Sequence, residues 1–408
     1  MQSPLYRQRE QTEVKHRCLE RYLQAAVPIL GSWSDDIVYV DCCAGPWKAN
    51  GENLLEDTSF SRAIEVLKVA KQGLASRGRR PSFRCLLIEK DDEAYAQLEE
   101  YAKKQSEVEV VPEHWDFTQY MDDIVRFVKR AKNSFPFVFI DPKGYELACI
   151  DVIAPLLRLR PGEVLINLMT SFIRRFTGDD VKPLHRLIGA ESLERIRALS
   201  GPEQEQEIIR AYCEQVRKAG DFYVCDIPVM KPDQDDFHYY LIYATRSIKG
   251  VEEFKATERA VVPFMHETRA EAQEFRGFQR TGQFTLPEFQ RHLYRENRYT
   301  EYQSTNLLRA EERVRSLLQL TREIKYEKLL PEALQFGGVQ EHHLREWLKL
   351  LEQGGKMVVL NRVAGERPLH YKKHHVFGLP RDSVATGRGQ CPRRLRMVCI
   401  SGPLNLPP

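Results

Sequence analysis

The sequence predicts an α/β protein: a largely parallel sheet wrapped by helices, with a smaller helical module behind it. Three observations carry this. Short apolar runs recur in the first part of the chain and end in a carboxylate, as in Ile37–Asp41, Cys85–Glu89 and Phe137–Asp141. Such runs, β-branched or aromatic and without alternation, read as strands buried on both faces. Segments of helical periodicity separate them, and strand–helix alternation implies right-handed βαβ units. Beyond about residue 260 the alternation stops.

The elements follow in order. Glu13 to Leu30 reads as a helix with Leu19, Tyr22, Leu23, Ala26 and Leu30 on one stripe, and Pro28 is placed to kink or end its last turn. Strand one is Ile37–Asp41. Ser59 or Ser61 then caps a helix carrying Ala63, Ile64, Leu67 and Ala70. Strand two ends at Glu89, and Tyr95, Leu98 and Tyr101 repeat at helical spacing. Val108–Pro112 is a short third strand, followed by a helix with Tyr120, Ile124, Phe127 and Val128. Strand four ends at Asp141, and Ile150, Ile153, Leu156 and Leu157 form the next helical face. Pro161-Gly162 turns into strand five, Glu163–Leu168. Thr170 to Gly220 is helical and polar. Phe222–Val229 and Tyr239–Thr245, joined by a short turn, form an antiparallel hairpin.

A chain of 408 residues exceeds the ~250–300 at which a single core stops growing, so more than one domain is expected. The reading is residues 1–260 for the α/β body, 261–320 for a helical connector, 321–380 for a small module and 381–408 for a disordered basic tail. In the module, Tyr326–Gln335, a Phe336-Gly337-Gly338 turn and Val339–Gln353 suggest helix, turn, helix. Lys356–Leu360 and Tyr371–Phe377 are candidate strands of a wing, the pattern of a winged helix-turn-helix.

Net charge is only +3, but residues 321–408 hold 15 Lys and Arg against 8 Asp and Glu. A basic end on a mildly acidic body fits either a module facing a polyanion, nucleic acid first, or a solvated surface with a tail. The nine cysteines contain no CxxC pair, which argues against a zinc ribbon or a redox motif. His342-His343 and His374-His375 are adjacent pairs, which do not share a helix face, and no metal site is expected. With no apolar leader and no run of ~20 apolar residues, the expectation is no membrane span and a reducing cytoplasm.

Ligands of open α/β sheets bind outside the carboxyl ends of the strands, so Asp41, Glu89, Asp116 and Asp141 should face one crevice. After Asp41 comes Cys42-Cys43-Ala44-Gly45-Pro46, where a glycine lets the backbone approach a ligand. A carboxylate such as Glu89 either offers two acceptor oxygens to a ribose or is a surface glutamate beside Lys90. Asp116 reads either as an acceptor near a base edge or as a helix cap before Phe117. Asp141-Pro142-Lys143-Gly144-Tyr145 is the most discriminating stretch, reading either as an amine-orienting site or as a structural turn.

Together these motifs resemble class I S-adenosylmethionine-dependent methyltransferases, and more narrowly the three-Cys-motif partner protein (TcmP) family of bacteria. The resemblance rests on Thr12, Lys15, Leu19 and Tyr22-Leu23 in the opening helix and on Tyr39-Val40-Asp41 leading into Ala44-Gly45-Pro46. It continues through Ile88-Glu89, Phe139-Ile140-Asp141-Pro142 with Gly144, and Lys249-Gly250 before a helix. It covers about residues 10–260, and the winged-helix-like module is similar to one attached to some members. The chain departs from the pattern at Trp47 and Lys143.

The resemblance implies a Rossmann-like class I methyltransferase sheet with a C-terminal winged helix-turn-helix-like domain. It implies S-adenosylmethionine bound along Asp41, Ala44, Gly45, Pro46, Glu89 and Asp116, and a nucleic-acid or nucleotide amine oriented by Asp141 and Pro142, with Tyr145 stacking on a base. It also implies a partner carrying the three-cysteine motif. The alternative is a catalytically inactive adaptor that binds nucleic acid or docks a partner, using the same fold as scaffold.

Overall fold

The computed structural model describes residue 6 and residues 9–45, 55, 57–176, 182–283 and 297–380. Pro46, Trp47, the Arg175 side chain and the tail from 381 to 408 lie outside the described residues.

Seven strands form the main sheet: β1 (Asp36–Asp41), β2 (Ser82–Glu89), β3 (Glu109–His114), β4 (Ser134–Ile140), β5 (Glu163–Leu168), β6 (Tyr223–Met230) and β7 (Phe237–Thr245). Their order is β3-β2-β1-β4-β5-β7-β6. The first five strands are parallel, and β7 runs antiparallel to both of its neighbours. Every residue of β1, β4 and β5 is buried, as the continuous apolar runs require when both faces are covered. The chain leaves β1 toward β2 on one side and later returns to β4 on the other. The switch point therefore lies between β1 and β4, where a ligand crevice is expected.

The covering helices are α1 (Glu10–Gly31), α2 (Ser59–Ala75), α3 (Asp92–Lys103), α4 (Met121–Val128), α5 (Ile150–Leu157), α6 (Thr170–Phe176), α7 (Lys182–Ile188), α8 (Ala190–Arg197), α9 (Gly201–Gly220) and α10 (Ile248–Thr281). α1 packs on α2 and α10, while α5, α7 and α8 pack on α9. Pro28 does not end α1, which runs on to Gly31; so near the C-terminal end a proline removes only one helical bond. The cap of α2 is Thr58, whose hydroxyl accepts from Ser61 N at 3.3 Å, rather than Ser59 or Ser61. Ser59 serves the β1 end instead, as described below.

The largest departure from the sequence reading is α10. The polar stretch after residue 260 continues one 34-residue helix that begins at Ile248, so the expected boundary falls inside a helix. α10 buries Lys255, Thr257, Glu258, Thr268 and Arg269 beside Val251, Phe254, Val261 and Met265, and those polar residues blur its apolar stripe. α11 (Asn297–Leu320) follows, then β8 (Glu323–Lys325), α12 (Tyr326–Leu334), α13 (Glu341–Gln353), β9 (Val358–Val359) and β10 (Val376–Gly378). The last three strands form an antiparallel sheet in the order β8-β10-β9. β8 was not expected, because three residues are too few to show a pattern. No helix among the described residues is long and apolar enough to cross a membrane.

Candidate functional site

The site is built where β1, β2 and β4 end. Asp41 is fully buried. Its Oδ2 accepts from the Ser59 hydroxyl at 2.8 Å and from the Tyr39 hydroxyl at 3.0 Å, and its Oδ1 accepts from Cys43 N at 3.2 Å. Burial pushes its carboxyl up to about 6, against the pull of those hydrogen bonds. Asp41 thus anchors the loop from below. The loop is also stitched to both neighbouring strands, through Cys42 N to Phe139 O at 3.0 Å and Ala44 N to Ile88 O at 2.8 Å.

Glu89 sits over that loop. Its Oε1 accepts from the main-chain N–H groups of Lys90 and Asp91, both at 2.8 Å. Its Oε2 lies so close to Gly45 that a Cβ there would collide with the carboxylate. A side chain at Gly45 would therefore displace the Glu89 carboxylate, a constraint the spacing of the motif does not reveal. Asp116 accepts through Oδ1 from Thr118 N at 3.1 Å and from the Thr118 hydroxyl at 2.7 Å, the geometry of a local turn.

A cavity of about 310 Å³ brings Glu89, Asp116 and Asp141 together with Cys42, Cys43, Trp115, Phe117, Lys143 and Leu147. That is at the lower end of the usual range for small-molecule sites. Three of the four predicted carboxylates thus share one crevice, and the fourth lies beneath its floor. Burial raises the Cys42 and Cys43 thiols well above their ordinary range, which leaves them protonated and unsuited to nucleophilic work. A larger groove of about 1520 Å³ lies between α1, α2 and α3. It holds none of the strand-end carboxylates, so the smaller cavity is the better site.

Asp141 is held by partners far away in sequence. Lys15 of α1 forms an ion pair with its Oδ2, and Asn167 of β5 donates to its Oδ1 at 2.6 Å. The Lys15 ammonium also lies 5.9 Å from the centre of the Tyr239 ring. Asn167 is buried, and its Oδ1 accepts no hydrogen bond from the described residues. Pro142 and Tyr145 are buried, and neither lines the cavity; the Tyr145 carbonyl accepts from Ala148 N at 3.0 Å. The ring expected to stack on a base therefore faces the interior. A more accessible ring is Trp115, stacked on Tyr120 with centroids 4.8 Å apart.

Lys15 belongs to the opening-helix pattern but carries no site role there, and Asn167 and Trp115 stand outside the motifs. Asn167 carries a readable signal, a polar residue next to last in an apolar strand. Arg174, in α6 just beyond β5, donates to Asp236 at 2.9 Å and lies 3.8 Å from Glu205.

The histidine pairs have structural partners. His343 Nδ1 accepts from Gln340 N at 3.0 Å and so helps cap α13. Glu366, His374 and His375 bring their ligand atoms within 4.8 Å of one another. However, His375 Nδ1 accepts from Lys372 N at 3.0 Å, which puts the ring proton on Nε2, 3.1 Å from Glu366. A metal would need that Nε2 bare.

No family model matches the chain, and no curated protein does. Solved structures similar to it include a Legionella pneumophila str. Philadelphia 1 protein of the family DUF519, at TM-score 0.36 and 12% identity, over 62% of this chain and 91% of that one. An O-methyltransferase from Bacillus cereus in complex with SAH matches at TM-score 0.29 and 13% identity, over 56% and 80%. A loganic acid methyltransferase with SAH matches at TM-score 0.28 and 10% identity, over 71% and 92%. All three likenesses are partial.

Proposed function

We propose that this chain binds S-adenosylmethionine in the strand-end crevice and methylates an amine of a nucleic acid or nucleotide. The observation that carries the reading is the set of acceptors at three strand ends, Glu89, Asp116 and Asp141, around one cavity. The strand order, with an antiparallel β7 inserted beside β5, is the sheet that the methyltransferase resemblance implies.

Bound there, the cofactor would supply an electrophilic methyl group. Glu89, already oriented by two N–H donors through Oε1, offers Oε2 to the ribose hydroxyls. The main chain at Ala44 and Gly45 forms the wall beneath, with Pro46 next in sequence. Asp116 keeps Oδ2 for an exocyclic amine. Asp141, its charge balanced by Lys15, acts as a hydrogen-bond acceptor that orients the substrate amine. The buried acceptor Asn167 Oδ1 lies on the same side chain that holds Asp141. The chain's own contribution is alignment and exclusion of water.

Behind the body, α11, β8, α12, α13, β9 and β10 follow one another in the order of a winged helix. In this reading the module docks nucleic acid or a three-cysteine-motif protein. A cytoplasmic setting accords with seven free cysteines among the described residues.

Calorimetric titration with S-adenosylmethionine and S-adenosylhomocysteine tests the site. Micromolar binding is expected, weakened about tenfold or more in Glu89→Ala. Unchanged affinity in that variant would remove the placement. One observation favours the second reading, a non-catalytic adaptor: both Asp141 oxygens already have protein partners and Tyr145 is turned inward. Cofactor binding without methyl transfer to any nucleic-acid or nucleotide pool would select the adaptor.

A further inference from the structure

A second cavity, of about 790 Å³, lies between α9, the edge strand β6 and the pair α11–α12. It sits at the far side of the sheet from the crevice. Arg160, just before β5, and Arg246, just after β7, mark the opposite rim. The volume is that of a small-molecule site.

Its described lining carries six arginines against three carboxylates, Asp221, Asp226 and Glu332. Arg210 and Arg313 have glutamate partners, and Arg160 reaches Asp221 only at 4.0 Å. The other three have no carboxylate within ion-pair distance among the described residues. Arg246 donates to the carbonyls of Leu157, Leu159 and Gly220 at 2.7–2.9 Å and covers the Phe222 ring at 3.9 Å. Arg217 donates to Gln335 Oε1 at 2.9 Å. The Arg309 side chain, half-buried on α11, makes no hydrogen bond or ion pair within the described residues.

Carbonyls and amides hold a guanidinium in place without cancelling its charge. The cleft is therefore left with positive charge partly removed from water, which is costly unless an anion enters. Tyr240 adds an independent observation. It is fully buried, lines the same cavity, and its hydroxyl has no hydrogen-bond partner among the described residues. Such a group in a native protein calls for one. Arginine forks are phosphate donors, and the half-exposed rings of Tyr223 and Phe336 offer faces on which a base can stack.

We propose that this cleft is a binding site for a nucleoside phosphate, either free or carried in a single strand. The site is separate from the strand-end crevice and does not depend on what that crevice binds.

The test is titration of the full chain at low salt with inorganic pyrophosphate, ATP and a ten-residue oligothymidylate. ATP or the oligonucleotide is expected to bind the wild type, and Arg309→Glu to weaken it about tenfold or more. Pyrophosphate reports how much of the affinity the anion alone supplies. Binding of ATP assigns a free nucleotide; binding of the oligonucleotide alone assigns a strand. Glu89→Ala separates the two cavities and should bind these probes as the wild type does. A wild type that binds none of the three overturns the proposal. So does equal binding by Arg309→Glu, or ATP binding that Glu89→Ala abolishes and Arg309→Glu leaves intact. Should Arg309→Glu lower the melting temperature, the gentler Arg309→Gln repeats the comparison.

Discussion

Three buried aspartates show how local partners set the fate of a charge. Asp36 is buried, and burial alone would raise its carboxyl; hydrogen bonds from Arg84, Ser134 and Ser82 hold it below the usual range. Asp41 has only hydroxyls and one N–H, and Asp226 has the Tyr302 hydroxyl, so burial prevails and pushes both up to about 6. The signs of their pH linkage are opposite. Asp36 stabilises the fold above its unfolded value and loses that contribution as pH falls through its folded one. Asp41 and Asp226 favour the fold while protonated, and lose that contribution as pH rises from about 4 through about 6. For Asp226 the two-unit shift corresponds to about 3 kcal/mol. Asp226→Asn should therefore compare better with the wild type at pH 7.5 than at pH 4.5. Urea midpoints at the two pH values check this, and an equal gap at both would mean that Asp226 is not held protonated.

At the scale of elements, what was legible depended on whether a pattern is local. β1, β2, β4 and β5 were readable because strands covered on both faces are apolar through their centres, and a polar residue at the end of the run marks the strand end even where it is buried, as at Asp41. The crevice was readable for the same reason, as far as Glu89, Asp116 and Asp141. Lys15 was not, since its partner is 126 residues away, and neither was the inward turn of Tyr145. α10 was missed because its buried ions, Lys255, Glu258 and Arg269, have partners in other elements that no local pattern shows. The turn between α12 and α13 was read correctly from two glycines, but its tightness was not. Gly338 has φ +76°, and a Cβ on Gly337 would strike the Tyr302 ring and hydroxyl. Since that hydroxyl donates to Asp226, Gly337→Ala should cost about 1–3 kcal/mol. Its effect should also be non-additive with Tyr302→Phe by more than about 0.5 kcal/mol. A double-mutant cycle by urea unfolding measures this, and strict additivity would separate the turn from the aspartate.

Across the whole molecule, several of the bonds that join the α/β body to the C-terminal module lie in its interior. Glu258 on α10 accepts from Gly338 N at 2.7 Å and from Gln340 at 3.1 Å, and it pairs with Lys255, which donates to Phe336 O at 3.0 Å. Gln335 accepts from Val224 N at 3.1 Å, closing part of the β6 edge that an unpaired strand would expose. Lys255 and Glu258 are almost fully buried, so removing one strands the other in a medium of low polarity. Glu258→Ala should cost about 3–5 kcal/mol, as for other broken buried pairs. That loss should lower the stability of body and module together. Scanning calorimetry of the wild type should then show one endotherm, shifted down as a unit in the variant. Two endotherms, with only the second moved, would show instead that the module unfolds alone. The same continuity bears on the arginine cleft, whose walls come from α9 and β6 on one side and α11 and α12 on the other. A ligand bound there contacts both parts only while they are joined. It should therefore raise the temperature of the single transition in proportion to the logarithm of its concentration. Arg309→Glu should remove that rise and leave the one produced by a crevice ligand intact.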